Sequence, residues 1–309
     1  MTAETTAVLN AKRQIKPFVK WAGGKGQLIN EIRSKYPEGL GKSIVKYAEP
    51  FVGGGAVLFD ILSHYNLKEL YISDVNAELI NAYKAIRENV FELIDLLQAY
   101  QDKYISIGSG EKKAYFYAQR SRYNELLVNT DSTEGSLESA ALFIFLNRTC
   151  FNGLYRVNKK GTFNVPAGAY RKPTICNAEN LLSISSALKN VKIIYGDYKK
   201  SKDFIDNKTF AYFDPPYRPL TNTSSFTAYS QLGFNDAKQE ELSYFVQAMA
   251  ERNAKLLVSN SDPKNIDEND NFFDILYSKF NIKRVKASRI INSKGEARGK
   301  ISELLISNY

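Results

Sequence analysis

Histidine and cysteine are nearly missing from this chain of 309 residues, which has His64, Cys150 and Cys176 and no others of either kind. Two cysteines cannot build a disulfide framework. Together with one histidine they also exclude most zinc clusters. A Ser-His-Asp centre would have to use His64, which falls in a helical pattern with no nucleophile motif beside it, so His64 reads as structural. No apolar run approaches the ~18 residues of a membrane span, and the polar leader over residues 1–15 lacks a signal-peptide core. The expected location is therefore the cytoplasm, with no membrane partner. A phosphate-binding loop is missing too. Gly41-Lys42-Ser43 resembles the end of one, but Tyr36 stands where its first glycine belongs, which excludes an NTPase.

Other features are abundant. Lys and Arg number 42 against 33 Asp and Glu, a net charge of +9 that favours a polyanionic partner. Twenty Tyr and 18 Phe are many for this length, and a base-stacking protein would use some of them.

Strand and helix patterns alternate. Ser43 to Ala48 reads as a strand, followed by the glycine turn Glu49-Pro50-Phe51-Val52-Gly53-Gly54-Gly55 and a helix through Ser63. Strand, glycine turn and helix open a mononucleotide-binding unit, in which Gly53 and Gly55 let a ligand approach the backbone. A second strand, Glu69 to Ser73, ends at Asp74, spaced for a carboxylate that takes ribose hydroxyls. The turn lacks the dinucleotide G-x-G-x-x-G spacing. It suits one adenosine without phosphates, as in S-adenosylmethionine.

Helical patterns then dominate over Ala77–Glu88, Val90–Gln98, Lys112–Val128 and Leu137–Leu146, with breaks near 106–110 and 129–136. They predict a mainly helical insertion over residues 77–178. Near its end, residues 151–170 read as a β-hairpin around Asn158-Lys159-Lys160-Gly161, dense in Arg, Lys, Asn and aromatics. Those side chains suit phosphates, base edges and a wedge in a base stack. The sheet pattern resumes at Val191 to Tyr195, capped by Gly196-Asp197.

The apolar strand Thr209 to Phe213 then stops at Asp214-Pro215-Pro216-Tyr217, because consecutive prolines cannot continue a sheet. A carboxylate, carbonyls and a Tyr ring at one corner fit a planar ligand bearing an amino group. The polar loop from Arg218 to Tyr229 follows, able to reorder over a bound base. A helix (Asp236–Asn253), a strand (Lys255–Ser259) and a closing β-hairpin (Ile282–Asn292 with Ile301–Tyr309) complete an α/β, Rossmann-like sheet. The hairpin turn carries Lys294, Arg298 and Lys300, which suit phosphates or an ordinary basic turn.

The order Phe18-Val19-Lys20-Trp21-Ala22-Gly23-Gly24-Lys25, then Glu49 to Gly55, the insertion, and Asp-Pro-Pro-Tyr resembles the Dam-type (α-group, D12 class) DNA adenine-N6 methyltransferases, over roughly residues 17–309. The stretch Asn147-Arg148 through Tyr170 resembles the target-recognition hairpin of members that act at GATC. The resemblance implies an S-adenosylmethionine-dependent methyltransferase sheet formed by residues 1–76 and 179–309, with the insertion at 77–178 reading DNA.

It also implies roles. Trp21, Lys25, Phe51, Asp74, Asp197 and Asp214 would contact the cofactor beside Gly53 and Gly55. Lys20, Asn152, Leu154, Arg156, Pro166 and Tyr170 would read duplex DNA, with Arg156 on a guanine and Phe151 at the disturbed stack. Asp214, Pro215, Pro216 and Tyr217 would hold the flipped adenine, with S-adenosyl-L-homocysteine as the product and no metal. Ala167 departs from the family, where many members have Phe. Also consistent with the pattern are another adenine site, cytosine N4 (whose enzymes tend to carry Ser-Pro-Pro-Tyr), adenine in RNA, or an idle DNA-binding homologue. A monomer, encoded by a bacterium or phage, is expected. A companion restriction endonuclease would be a partner of the same system rather than of the same complex.

Overall fold

A computed structural model describes residues 15–129, 136–218, 234–288 and 300–309. Outside them lie the leader through residue 14, most of the break at 129–136, the loop expected beyond Arg218 and the hairpin turn with Lys294 and Arg298.

Seven strands form one sheet: β1 (Lys46–Glu49), β2 (Glu69–Asp74), β3 (Val191–Tyr195), β4 (Thr209–Phe213), β5 (Lys255–Ser261), β6 (Asn281–Ser288) and β7 (Lys300–Ser307). Their order is β3-β2-β1-β4-β5-β7-β6. The first five run parallel, and β7 inserts antiparallel between β5 and β6. This is the expected α/β sheet with a closing hairpin. The chain runs outward from β1 through β2 to β3, then returns to lay β4 on the other side of β1. The order therefore reverses between β1 and β4, where a doubly covered parallel sheet opens a crevice at the carboxyl ends of its strands.

Both faces of the sheet are covered, as near-continuous apolar strands require. In β4 the pleat divides the side chains. Phe210 and Tyr212 enter one core with the helical insertion, while Ala211 and Phe213 enter the other with Leu242, Val246 and Phe273.

The insertion is helical as expected, but its elements run longer. Val90–Ser106 extends well past Gln98, because Tyr100 and Tyr104 continue the stripe of Leu93 and Leu97 through a polar-looking stretch. The next helix begins at Ser109, which leaves Ile107 and Gly108 as the whole of that break. The central helix Leu137–Thr149 is buried on nearly every side against the helices Ala77–Glu88, Val90–Ser106 and Ser109–Asn129. Side-chain caps fix the starts of Ala77–Glu88 and Leu137–Thr149, with Asn76 accepting from Leu79 N and Ser136 from Ser139 N.

The hairpin read at residues 151–170 is less regular than expected. Its arms meet at two isolated bridges, Val157 with Phe163 and Cys150 with Ala167, without continuous strands. The turn itself forms, as Asn158 N donates to Thr162 O and Gly161 N to Asn158 O. Tyr155 and Phe163 pack into the insertion core, and this pull inward limits the ladder.

Candidate active site

The glycine turn after β1 is held from three directions. Val52 N donates to Ser73 O of β2 at 3.0 Å. Gly53 N donates to Asp74 Oδ2 at 3.1 Å, and Tyr83 Oη donates to Gly53 O at 3.0 Å. Gly53 and Gly55 have φ of 48° and 74°, in the left-handed region. A Cβ on Gly53 would lie 2.8 Å from Trp21 Cδ1, and one on Gly55 would collide with Tyr83 Oη. Only glycine fits this cradle. Tyr83, which lies within an ordinary helical stripe, was not foreseen as part of it.

Acids stand at the carboxyl ends of four neighbouring strands, in sheet order Asp197, Asp74, Glu49 and Asp214. Asp197 caps a short helical turn through Lys199 N. Gly196 N donates to Asp74 O and ties the ends of β2 and β3 together. Burial pushes the Asp74 carboxyl up to about 6, against the backbone N–H groups of Asn76 and Gly53 that favour its charged form. Glu49 is wholly buried, takes the Tyr47 hydroxyl at 2.7 Å and is held well above the carboxylate range by burial. Phe51 stacks on Tyr198 with ring centroids 5.5 Å apart.

Asp214 follows directly on β4. Its side chain keeps 19% of its surface open, enough for a ligand to reach it. Burial still raises its pKa to about 6, opposed by the Lys25 ammonium and reinforced by Glu303. Lys25 Nζ lies 2.9 Å from Asp214 Oδ1, outside good hydrogen-bond alignment, while donating to Gly23 O at 2.6 Å. The same ammonium stands 4.5 Å from the centroid of Tyr217, whose hydroxyl donates to Glu303 Oε2 at 2.7 Å. Lys25, expected on the cofactor, thus meets the corner formed by Asp214 and Tyr217. A buried relay fixes Pro216: Gln239 donates to its carbonyl at 3.0 Å and accepts from Asn260 Nδ2 at 3.0 Å. Gln239, Asn260 and Glu303 lie far along the chain, and nothing in their local pattern marked them.

The expected DNA-reading residues lie at Lys20, next to Trp21, and along the 151–170 stretch. Lys20 Nζ donates to Tyr170 Oη at 3.2 Å. Arg156 is aimed by Asn164, with Nε to Oδ1 at 2.7 Å. Pro166 O accepts from Phe151 N, and Asn152 adopts a left-handed φ of 55°. Phe151 and Leu154 are exposed, at 52% and 38%. Trp21 joins the two groups, lying against the glycine cradle and stacked on Tyr155 at 5.8 Å.

The site combines a glycine cradle flanked by carboxylates with a second acceptor corner one strand away and a basic, aromatic arm beyond it. Residues 21–291 match the family model described as D12 class N6 adenine-specific DNA methyltransferase. The type II methyltransferase M.MjaIII of Methanocaldococcus jannaschii is 47% identical over 298 residues, spanning 96% of this chain and 100% of that protein. The DNA adenine methylase of Haemophilus influenzae is 33% identical over 298 residues (96% and 95% of the two chains), and that of Escherichia coli 31% over 290 (94% of each).

Proposed function

The chain belongs to the D12 class of N6 adenine-specific DNA methyltransferases, and from that membership we propose that it methylates a flipped adenine within GATC, using S-adenosylmethionine. The observation that carries this reading is the placement of Asp214 across the switch point from the glycine cradle. A cofactor beside β1 and a base beside β4 would thereby face each other.

Trp21, Lys25, Phe51, Gly53, Gly55, Asp74, Asp197 and Asp214 are assigned to the cofactor. The cradle that a Cβ would fill, with carboxylates at the strand ends, fits a nucleoside whose hydroxyls and amino groups need acceptors. When bound, S-adenosylmethionine supplies a methyl group on a cationic sulfur, open to displacement by a nitrogen lone pair. The residues of the chain have to produce that lone pair. Adenine N6 is a poor nucleophile because its electrons are delocalised into the ring. Asp214 and the Pro215 carbonyl accept the two amino hydrogens, which lets the nitrogen pyramidalise. Lys25 holds Oδ1 and keeps the carboxylate anionic, leaving Oδ2 to the base. Positioning and fixed charge then supply most of the rate. With its pKa raised, Asp214 is also a better proton acceptor than an open carboxylate.

The amino group cannot be reached inside a duplex, and extruding the base costs a few kcal/mol. Tyr217 receives it, while Lys20, Phe151, Asn152, Leu154, Arg156, Pro166 and Tyr170 read the site. Residues 77–178 form the recognition insertion on a catalytic unit made of 1–76 and 179–309. The GATC assignment rests on the likeness of the 147–170 stretch to members with that target.

Methyl transfer from tritiated S-adenosylmethionine to duplex DNA tests the reaction, and single-molecule sequencing of host DNA tests the site. Asp214→Ala is expected to abolish transfer while reducing DNA and cofactor binding less. Turnover near that of the parent protein would refute the role of Asp214.

A further inference from the structure

Asn147 lies in the last turn of the central helix Leu137–Thr149, with 2% of its surface exposed. Its amide is used almost completely. Oδ1 accepts from Lys20 N at 2.8 Å, and Nδ2 donates to Lys20 O at 2.8 Å and to Gly153 O at 2.9 Å. One donor and two carbonyls leave only one way round for the amide, so its orientation is determined. Both backbone groups of Lys20 are gripped as a neighbouring strand would grip them, and the third bond reaches the first residues of the recognition arm.

That grip falls where two functions meet. The loop it holds continues from Lys20 into Trp21, which lies on the glycine cradle, and on to Lys25, which lies on Asp214. The arm is held at Gly153, which has φ of 65° and would carry a Cβ only 2.5 Å from Lys20 Cδ. It continues into Leu154, Tyr155 and Arg156. The neighbouring Arg148 donates to Phe18 O at 3.0 Å and fixes the loop two residues earlier.

We propose that Asn147 is a positioning residue that couples sequence reading by the arm to the cofactor side of the site, by fixing the Lys20 backbone and Gly153 to one another. The proposal rests on the functional reading above, which assigns the arm to DNA and the loop to the cofactor. A recognition arm seated on its cognate site holds Gly153, and through Asn147 it holds the loop that carries Trp21 and Lys25. Binding of either ligand then prepays the ordering that the other needs, so each raises the affinity for the other by the same factor.

The chain has a single tryptophan, Trp21, so its emission reports on the coupled loop alone. The experiment measures S-adenosyl-L-homocysteine affinity by Trp21 fluorescence, with and without a cognate duplex and with a scrambled duplex, in the parent protein, Asn147→Asp and Asn147→Ala. Asn147→Asp keeps the acceptor and the shape but removes both donors. In the parent protein the cognate duplex is expected to tighten binding by a factor within about 5- to 150-fold, the usual span of such couplings. In Asn147→Asp the factor falls toward one, while the affinity for each ligand alone changes far less. A purely structural role would lower both affinities and leave the factor intact, and that result overturns the proposal.

If neither variant folds, the parent protein still decides. Cognate duplex alone must change Trp21 emission more than scrambled duplex does, and equal responses overturn the proposal. Failure of the parent protein to bind either ligand would instead refute the functional reading itself.

Discussion

Lys25 and Asp214 form a largely buried ion pair, 2.9 Å from Nζ to Oδ1, between a loop that precedes the first strand and the end of the fourth. One charge thus touches both the loop expected at the cofactor and the carboxylate expected at the base. An ion pair at such depth is costly to break from one side, because the partner is left charged without compensation.

The rate of methyl transfer should follow the ionisation of Asp214. Its pKa is raised to about 6, so the anionic form predominates above that value and is lost as pH falls through it. Single-turnover rates are expected to rise with pH through about 6 and then level off. Burial is the main cause of the raised value and Lys25 opposes it, so Lys25→Gln should move the midpoint to higher pH. Glu303→Gln should move it lower. A midpoint in Lys25→Gln that stays in place or falls would mean that the ammonium does not control this carboxyl.

Gly53→Ala places a side chain at φ of 48° and a Cβ 2.8 Å from the Trp21 ring. The backbone penalty alone is about 1–2 kcal/mol. A lower Tm should accompany a changed Trp21 emission and a weakened affinity for S-adenosyl-L-homocysteine, measured by calorimetry. Unchanged affinity would show that the turn is structural only.

Gln239→Ala removes the bridge between the Pro216 carbonyl and the Asn260 amide. Each buried group left unpaired costs about 1–3 kcal/mol. Thermal melting should record that loss. The methylation rate should fall while DNA affinity in a filter assay holds, since the relay supports the base corner rather than the recognition arm.

Arg156→Ala should cost about 1–3 kcal/mol at one guanine position and relax discrimination there. Asn164→Ala should do the same more weakly, because it removes the partner that aims the guanidinium. Methylation rates on duplexes substituted one base pair at a time separate this from uniform loss on every sequence, which would make Arg156 a phosphate contact.

Much of the sheet is legible in the sequence, because strands buried on both faces are largely apolar runs and their acids fall at the ends. Leu137 onward was also clear as a helix. The arm at 151–170 was read as more regular than it is, since a turn signal fixes a reversal but not how far pairing extends once Tyr155 and Phe163 are drawn into a core. Gln239 and Glu303 carried no local signal, and Asn147 was marked only as the first residue of the stretch that resembles the family's hairpin. Their partners are backbone carbonyls, an amide and a hydroxyl from distant segments, and neither periodicity nor motif spacing records such pairings.

The sheet also acts as a ruler. Asp197, Asp74, Glu49 and Asp214 end four adjacent strands, and three inter-strand steps of about 4.8 Å set them out along roughly 14 Å. A ligand or pair of ligands that touches both outer acids must match that length, which loop substitutions cannot alter. Under the proposed function, sequence preference would lie on an arm outside the sheet and be free to diverge while the distance between donor and acceptor subsites stays fixed.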